Sequence, residues 1–406
     1  MSVIRRIAAL GAGLALLASP VAVAVTVAAE APAGQRTEVS SVTDGSPGPD
    51  GPSGASVSSV PSPAERRAAA DATARRLAAA DIVDVPVTFT VRNVNRSRTG
   101  CRPAGGTHRI RGHLTAPRAV LAGGKPAVTL YQHGIAAGEW YWRLDVPGYH
   151  YAEELARRGH ASVTVDRLGY GSSDRPDGFG TCIGAEADIA HQIVRQLRAG
   201  TYDLGARPAG GPAKPPAFAR VALAGQSNGG QVVQIAAYSF GGIDALMIMD
   251  WTDRGLTPEA NTRFFAALQS CMAGGQPSRR PGDPGGYVYY DLGPDQFRRG
   301  NFHDTERRVV DAATPHQNRH PCGDMTSQLE SVFTDLKHLS TITVPVLFVY
   351  GDEDARVTGG AAHRRLFTGA RTELIDIPGA GHYATMARSA PRTFDRVDAW
   401  LDARGL

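Results

Sequence analysis

From residue 127 onward the chain alternates short apolar runs with amphipathic stretches, and no other feature limits its fold so tightly. AVTLYQ (127–132), ASVTVD (161–166), RVALAG (220–225), ALMIMD (245–250), PVLFVYG (345–351) and TELIDIP (372–378) read as strands. VPGYHYAEELARRG (146–159), IGAEADIAHQIVRQLRAG (183–200) and the terminal PRTFDRVDAWLDARG read as helices, two of them closed by glycine. Apolar runs this short, separated by helices, bury both faces of a strand. They predict an α/β fold with a mostly parallel central sheet covered by helices on both sides. Upstream, a helix is expected at about 63–80, then strands near 85–94 and 108–115. The alternation in the second of these suggests a half-exposed hairpin.

Two stretches break the rhythm. Residues 30–63 are rich in Pro, Gly, Ser, Thr and Ala around SPGPDGPSGASVSSVPSP. Such a segment cannot bury enough apolar area to offset the entropy of ordering, and it reads as a flexible linker. Residues 251–340 separate the strand ending at Asp250 from the one that follows Val344. They hold the loop GGQPSRRPGDPGG and the aromatics Trp251, Phe264, Phe265, Tyr287, Tyr289, Tyr290, Phe297 and Phe302. A segment this long between strands of one domain is expected to form a cap or lid over the strand ends, inserted into a core of residues 64–250 and 341–406. Its aromatics either pack the cap's own core or line a pocket for the substrate.

The first 29 residues have the layout of a secretory signal. Two arginines in MSVIRR precede the apolar IAALGAGLALLA, and Ala22-Val23-Ala24 or Val27-Ala28-Ala29 would serve for cleavage. Pro20 and the small residues beyond it argue against an uncleaved anchor over residues 7–29. The protein is therefore expected to be secreted, meeting the membrane only through its signal, with a linker long enough to tether it near the cell wall. Export sets the reading of Cys101, Cys182, Cys271 and Cys322 as disulfides, because their spacing fits no zinc pattern. The favoured pairs are Cys101–Cys182 and Cys271–Cys322, the latter stapling the inserted segment. A net charge of +4 spread over 406 residues shows no basic run and gives no reason to expect nucleic-acid binding.

The sequence Gly225-Gln226-Ser227-Asn228-Gly229 stands where the strand 220–225 gives way to a possible helix. Small neighbours let the backbone bend sharply there and lift the serine hydroxyl clear of the sheet, the G-x-S-x-G nucleophile elbow. Alone, Ser227 would pass for a turn serine, and the five-residue motif recurs by chance. Its place at a strand end before a helix gives it weight. A serine nucleophile needs a histidine base held by a carboxylate, with the acid first and the histidine last in the chain. Gly351-Asp352-Glu353-Asp354 follows one later strand and Gly379-Ala380-Gly381-His382 follows the next, both at carboxyl ends, where open sheets place their sites. Ser227, Asp354 and His382 are the candidates in that order. Asp352 competes in the same loop, and Asp250 at an earlier strand end is a third choice.

With His133-Gly134, DRLGYGSS (166–173), GQSNGG, GDED and GAGH in these places, residues 85–406 resemble the α/β-hydrolase superfamily. The resemblance implies Ser227 as nucleophile, His382 as general base and Asp354, by the G-x-x-D spacing, as its orienter. It also implies an oxyanion hole made by the backbone N–H groups of Ile135 and Asn228. His133 then shapes the oxyanion loop, and Asp166 anchors the turns of its glycine-rich loop. HGIAAG departs from the HGGG of many lipases, which leaves ordinary esters open as substrates. The expected activity is hydrolysis of a carboxylic ester, small to medium and apolar, through an acyl-enzyme with no metal or organic cofactor. Lactone or amide hydrolysis and acyl transfer use the same machinery. A binding protein that keeps the pocket without turnover is the alternative of another class.

Overall fold

The computed structural model describes residues 62–124, 126–206, 211–278 and 282–406. The expected signal and nearly all of the expected linker lie outside the described residues. Helix α1 begins at Pro63, within the stretch assigned to the linker, and runs to Ala79. It leads into β1 (Ile82–Arg92) and β2 (Thr107–Pro117), an antiparallel pair in register from Ile82 opposite Pro117 to Arg92 opposite Thr107. The hairpin is half-exposed only at its far end. Its inner half is buried because β2 pairs antiparallel with β4 (Ser162–Val165) and so joins the main sheet.

Between β2 and β4 come α2 (Arg118–Ala122), β3 (Ala127–Gln132) and α3 (Tyr151–Arg157). Helix α3 starts five residues later than the sequence suggests. Pro147 and Gly148 form a turn, with Gly148 at φ 85°, and the His150 side chain then caps the helix by accepting from Glu153 N–H at 3.1 Å. After β4 follow α4 (Ile183–Ala199), β5 (Asp203–Leu204), β6 (Arg220–Gln226), α5 (Asn228–Phe240) and β7 (Ala245–Met249). Gly200 closes α4 in the left-handed conformation at φ 64°, as its sequence predicts.

The inserted segment contains α6 (Pro258–Met272), β8 (Tyr287–Val288), α7 (Pro294–Asn301), α8 (Arg307–Ala313), β9 (His320–Pro321) and α9 (Cys322–His338). None of these elements follows a strand-helix period, so the sequence marks the segment's limits without its contents. β8 and β9 pair antiparallel as a separate small ribbon. The disulfide Cys271–Cys322 ties the end of α6 to the start of α9, and Cys101–Cys182 ties the loop of the hairpin to the start of α4. The chain then completes β10 (Val346–Gly351), α10 (Gly360–Arg364), β11 (Thr372–Ile377) and α11 (Ala390–Asp402). Among the described residues no helix is long and apolar enough to cross a membrane.

The main sheet runs β11-β10-β7-β6-β3-β4-β2-β1-β5, with β3, β4, β6, β7, β10 and β11 parallel. Successive residues of its strands feed opposite cores, as the two-residue period of a strand requires. Leu130, Leu223, Ile248 and Phe348 face the helices α4 and α5 with Ile193, Val232 and Ile235. Tyr131, Ala224, Met247 and Val349 face α3 and α11 with Leu155, Phe394 and Trp400. Strand order reverses at β3, with β4 on one side and β6 on the other. At such a switch point the loops leaving the two strands diverge and open a crevice at their carboxyl ends. The loops leaving β3 and β6 carry His133-Gly134-Ile135 and Ser227.

Candidate active site

Ser227 is the single residue between β6 and α5, at φ 53° and ψ −131°. A non-glycine residue held there costs on the order of 1–3 kcal/mol, which the surroundings must offset. Ser227 N–H donates to Met249 O at 2.8 Å and Gly230 N–H to Ser227 O at 2.7 Å, locking the turn from both sides. The flanking glycines have a steric cause. A Cβ on Gly225 would stand 2.1 Å from the carbonyl oxygen of Gly229, and one on Gly229 would stand 2.4 Å from that of Gln132. Only glycine lets the first turn of α5 fold back across β6 and the end of β3.

His382 follows β11 and Asp354 follows β10. The His382 Nδ1 lies 2.9 Å from Asp354 Oδ2 and 3.1 Å from Oδ1, both side chains being almost fully buried. The carboxylate also accepts the N–H groups of Arg356 at 2.7 Å and Val357 at 3.2 Å, which fix its plane. Its two competitors stand elsewhere. Asp352 turns outward and accepts Gly379 N–H at 2.7 Å. Asp250 is enclosed at the end of β7, accepts Gly351 N–H at 3.0 Å, and burial together with the nearby Asp354 carboxylate holds its pKa well above the ordinary range.

Ile135 and Asn228 both line the cavity that holds Ser227 and His382. Neither backbone N–H donates to a group among the described residues, which leaves both open to a ligand oxygen. The turn carrying Ile135 is pressed against the elbow, since a Cβ on Gly134 would meet Ser227 Cβ at 2.9 Å. His133 is enclosed beneath it. Its Nε2 accepts Arg167 N–H at 3.0 Å, so the imidazole proton sits on Nδ1 and goes to Gly134 O at 2.8 Å. Burial, then the Arg167 charge, pushes its pKa down to about 3, so it is neutral and acts as a brace.

Arg167, which the sequence reading did not single out, joins these parts. One guanidinium nitrogen donates to His133 O at 3.0 Å and to Asn228 Oδ1 at 2.9 Å, reaching both segments that carry the free N–H groups. The rest of the fork pairs with Glu186 on α4 and with Asp324 on α9 at 3.0 Å, and Tyr170 donates to Asp324 at 2.7 Å. Burial, reinforced by Asp324, raises the Glu186 pKa well above the ordinary carboxylate range, against the pull of the Arg167 charge. An arginine next to a strand end, inside the glycine-rich DRLGYGSS, was the available signal. Asp166 beside it accepts from Glu139 N–H and from Ser172 N–H and Oγ–H, fastening the same loop.

The cavity encloses about 40 Å³ of its own and about 490 Å³ when the open solvent at its mouth is counted with it. Trp251, Phe264 and Tyr290 of the segment's aromatics line it. Tyr287 and Phe297 are buried in packing, Phe302 stacks edge-on against Phe297 and Tyr383, and Phe265 and Tyr289 lie partly in solvent. Asn301 from α7 and Gln328 from α9 reach the same wall as Arg356 and Val357. Arg356 is held by Asp291, whose oxygens lie 2.7 and 2.8 Å from its Nη2, and its Nε donates to Asn301 Oδ1 at 3.2 Å.

The alpha/beta hydrolase family model matches residues 127–396, and the chain belongs to that family. Among solved structures it is similar to a thermophilic esterase from Thermogutta terrifontis, at 18% identity and a TM-score of 0.53, over 78% of this chain and 100% of that one. It is also similar to a membrane phospholipase A described as a bacterial virulence factor, at 17% identity and a TM-score of 0.50, over 84% and 92% of the two chains. At these identities the likeness is one of fold. No curated protein matched the chain.

Proposed function

We propose that the protein is an exported serine hydrolase that cleaves a carboxylic ester, small to medium and largely apolar. Ser227 Oγ attacks the ester carbonyl and its proton passes to His382 Nε2, while Asp354 holds the imidazole by Nδ1 and stabilises its positive charge. The N–H groups of Ile135 and Asn228 receive the oxyanion. Collapse expels the alcohol, protonated by His382, and leaves an acyl-enzyme. Water, deprotonated by His382, then attacks the acyl carbon and releases the acid and Ser227. The inserted segment 251–340 acts as a cap that supplies part of the substrate wall.

The observation that carries this reading is the 2.9 Å contact of Asp354 with His382, which lines one cavity with Ser227 and with Ile135 and Asn228, whose N–H groups have no acceptor among the described residues. The two disulfides favour an oxidising destination and so support export. The test is a fluorophosphonate probe on the purified protein and on its Ser227→Ala variant, read by intact mass. An adduct on the wild type alone is the expected result. Two folded proteins that both stay unlabelled would defeat the proposal.

A further inference from the structure

Besides Gln226, whose Nε2 donates to His382 O at 3.0 Å and whose Oε1 is enclosed without a partner, three cavity side chains outside the catalytic groups have polar ends that the protein leaves unmatched. Gln328 on α9 is 7% exposed, its Oε1 is enclosed, and its amide enters no hydrogen bond among the described residues. Tyr383 is 2% exposed and its Oη is likewise enclosed without a partner. By contrast, the Oη of Tyr290, on the same wall, donates to Ala260 O at 2.7 Å. Arg356 is 7% exposed, with Nε and Nη2 engaged by Asn301 and Asp291 and its guanidinium 5.0 Å over the Tyr290 ring, while Nη1 donates to neither of those two residues. Otherwise the wall is mostly apolar, with Ile135, Leu256, Phe264 and Val357.

An alkyl occupant would expel water from these groups and return nothing, and enclosed polar groups without partners are costly. Sites of this kind reject the ligand that lacks the matching group far more strongly than they reject a change of size. The charge balance narrows the ligand further. Asp291 already neutralises Arg356, so a carboxylate on the substrate would bring an unbalanced negative charge into an enclosed wall. An uncharged oxygen function can pair with the amide, the phenol and the N–H groups of Nη1 without that penalty.

We propose, resting on the hydrolase reading above, that the substrate is an uncharged ester carrying a hydroxyl or carbonyl group away from the scissile bond, held by Gln328, Tyr383 and Arg356. Gln328 and Tyr383 are then specificity-determining residues contributed by the inserted segment and by the loop of the base.

The test compares kcat/KM, read by proton release, in two ester series. Methyl butyrate, methyl 3-hydroxybutyrate and monomethyl succinate vary the acid side. Ethyl acetate and 2-hydroxyethyl acetate vary the alcohol side. The wild type should favour the hydroxylated ester by about tenfold or more in at least one series, with the succinate no better than the butyrate. In Gln328→Leu and in Tyr383→Phe that ratio should fall to within about threefold of unity. The ratio is internal to each preparation, so loss of folded protein does not move it. Ratios near one in both wild-type series, a preference for the succinate, or ratios unmoved in both variants would overturn the inference. An enzyme that labels with fluorophosphonate and turns over esters without preference defeats this inference alone. No labelling and no turnover of any ester defeats the hydrolase reading, and the inference falls with it.

Discussion

Replacing Arg167 by Met separates what this arginine does for the fold from what it does for the reaction. Its side chain is 1% exposed, and Asp324 and Glu186 beside it are no more accessible than that by more than a percent. Removing the guanidinium strands the Asp324 carboxylate, which keeps only the Tyr170 hydroxyl and its contact with Glu186. Breaking one side of a buried pair in this way costs about 3–5 kcal/mol. Domains carry about 5–15 kcal/mol in all, so the variant should still fold, with its denaturant midpoint clearly lowered. Activity should fall for a second reason. The same nitrogen holds His133 O and Asn228 Oδ1, so the two segments that carry the proposed oxyanion donors lose their common anchor. A drop in kcat of about 10–100-fold with little change in KM is expected, because those donors act mainly on the transition state. The triple variant Arg167→Met, Glu186→Gln, Asp324→Asn discharges the cluster and should recover most of the lost stability. It should not recover kcat. If stability and kcat return together on p-nitrophenyl butyrate, Arg167 serves only the charge cluster and its anchoring of the two donors is refuted.

The three acids near the base should separate by kinetics. Asp354→Asn is expected to lower kcat by about 10³–10⁴-fold, while Asp352→Asn and Asp250→Asn stay within about tenfold; a large loss in Asp250→Asn would move the acid to β7. His133 contributes acid sensitivity. Its folded pKa of about 3 lies below the ordinary 6.5, so the unfolded chain takes up a proton first as pH falls. Its stabilisation is therefore complete above pH 6.5 and is lost towards pH 3, at up to about 1.4 kcal/mol per unit. His133→Gln should flatten the stability-pH slope by about one proton in that window, and an unchanged slope in urea titrations would contradict the assignment. Finally, Cys271 and Cys322 lie 51 residues apart, and opening that loop by Cys271→Ser and Cys322→Ser should cost about 4 kcal/mol. Equal denaturant midpoints for this variant and the parent would show that the segment's own packing suffices.

The strands β3, β6 and β10 were legible within a residue or two, because a buried parallel strand needs an unbroken apolar run and these runs have no other use, whereas β11, at the sheet edge, buries only Ile375 and Ile377. The elbow was legible for a related reason: two glycines at that spacing are required wherever a helix must fold back over its own strand. The order Ser227, Asp354, His382 followed from placing each at a strand end. Helix α3 was drawn too long because apolar spacing continues through Val146–Tyr149, and only the Pro147-Gly148 turn stops it.

The inserted segment shows where local reading stops. Its helices are short and irregular, and their partners lie in other parts of the chain, so periodicity could not sort Phe264 and Tyr290, which line the cavity, from Tyr287 and Phe297, which do not. Arg167, Gln328 and Arg356 have the same history. Each is an ordinary polar residue in sequence, and its meaning comes from contacts with residues far along the chain, such as the 157 positions between Arg167 and Asp324. Backbone-scale chemistry, which depends on neighbours one to four residues away, was written in the sequence: the sheet, the elbow and the candidate triad. Which acid meets His382, what braces the segments of Ile135 and Asn228 and which polar groups remain unmatched in the cavity are set by long-range packing, and only the tertiary structure decided them.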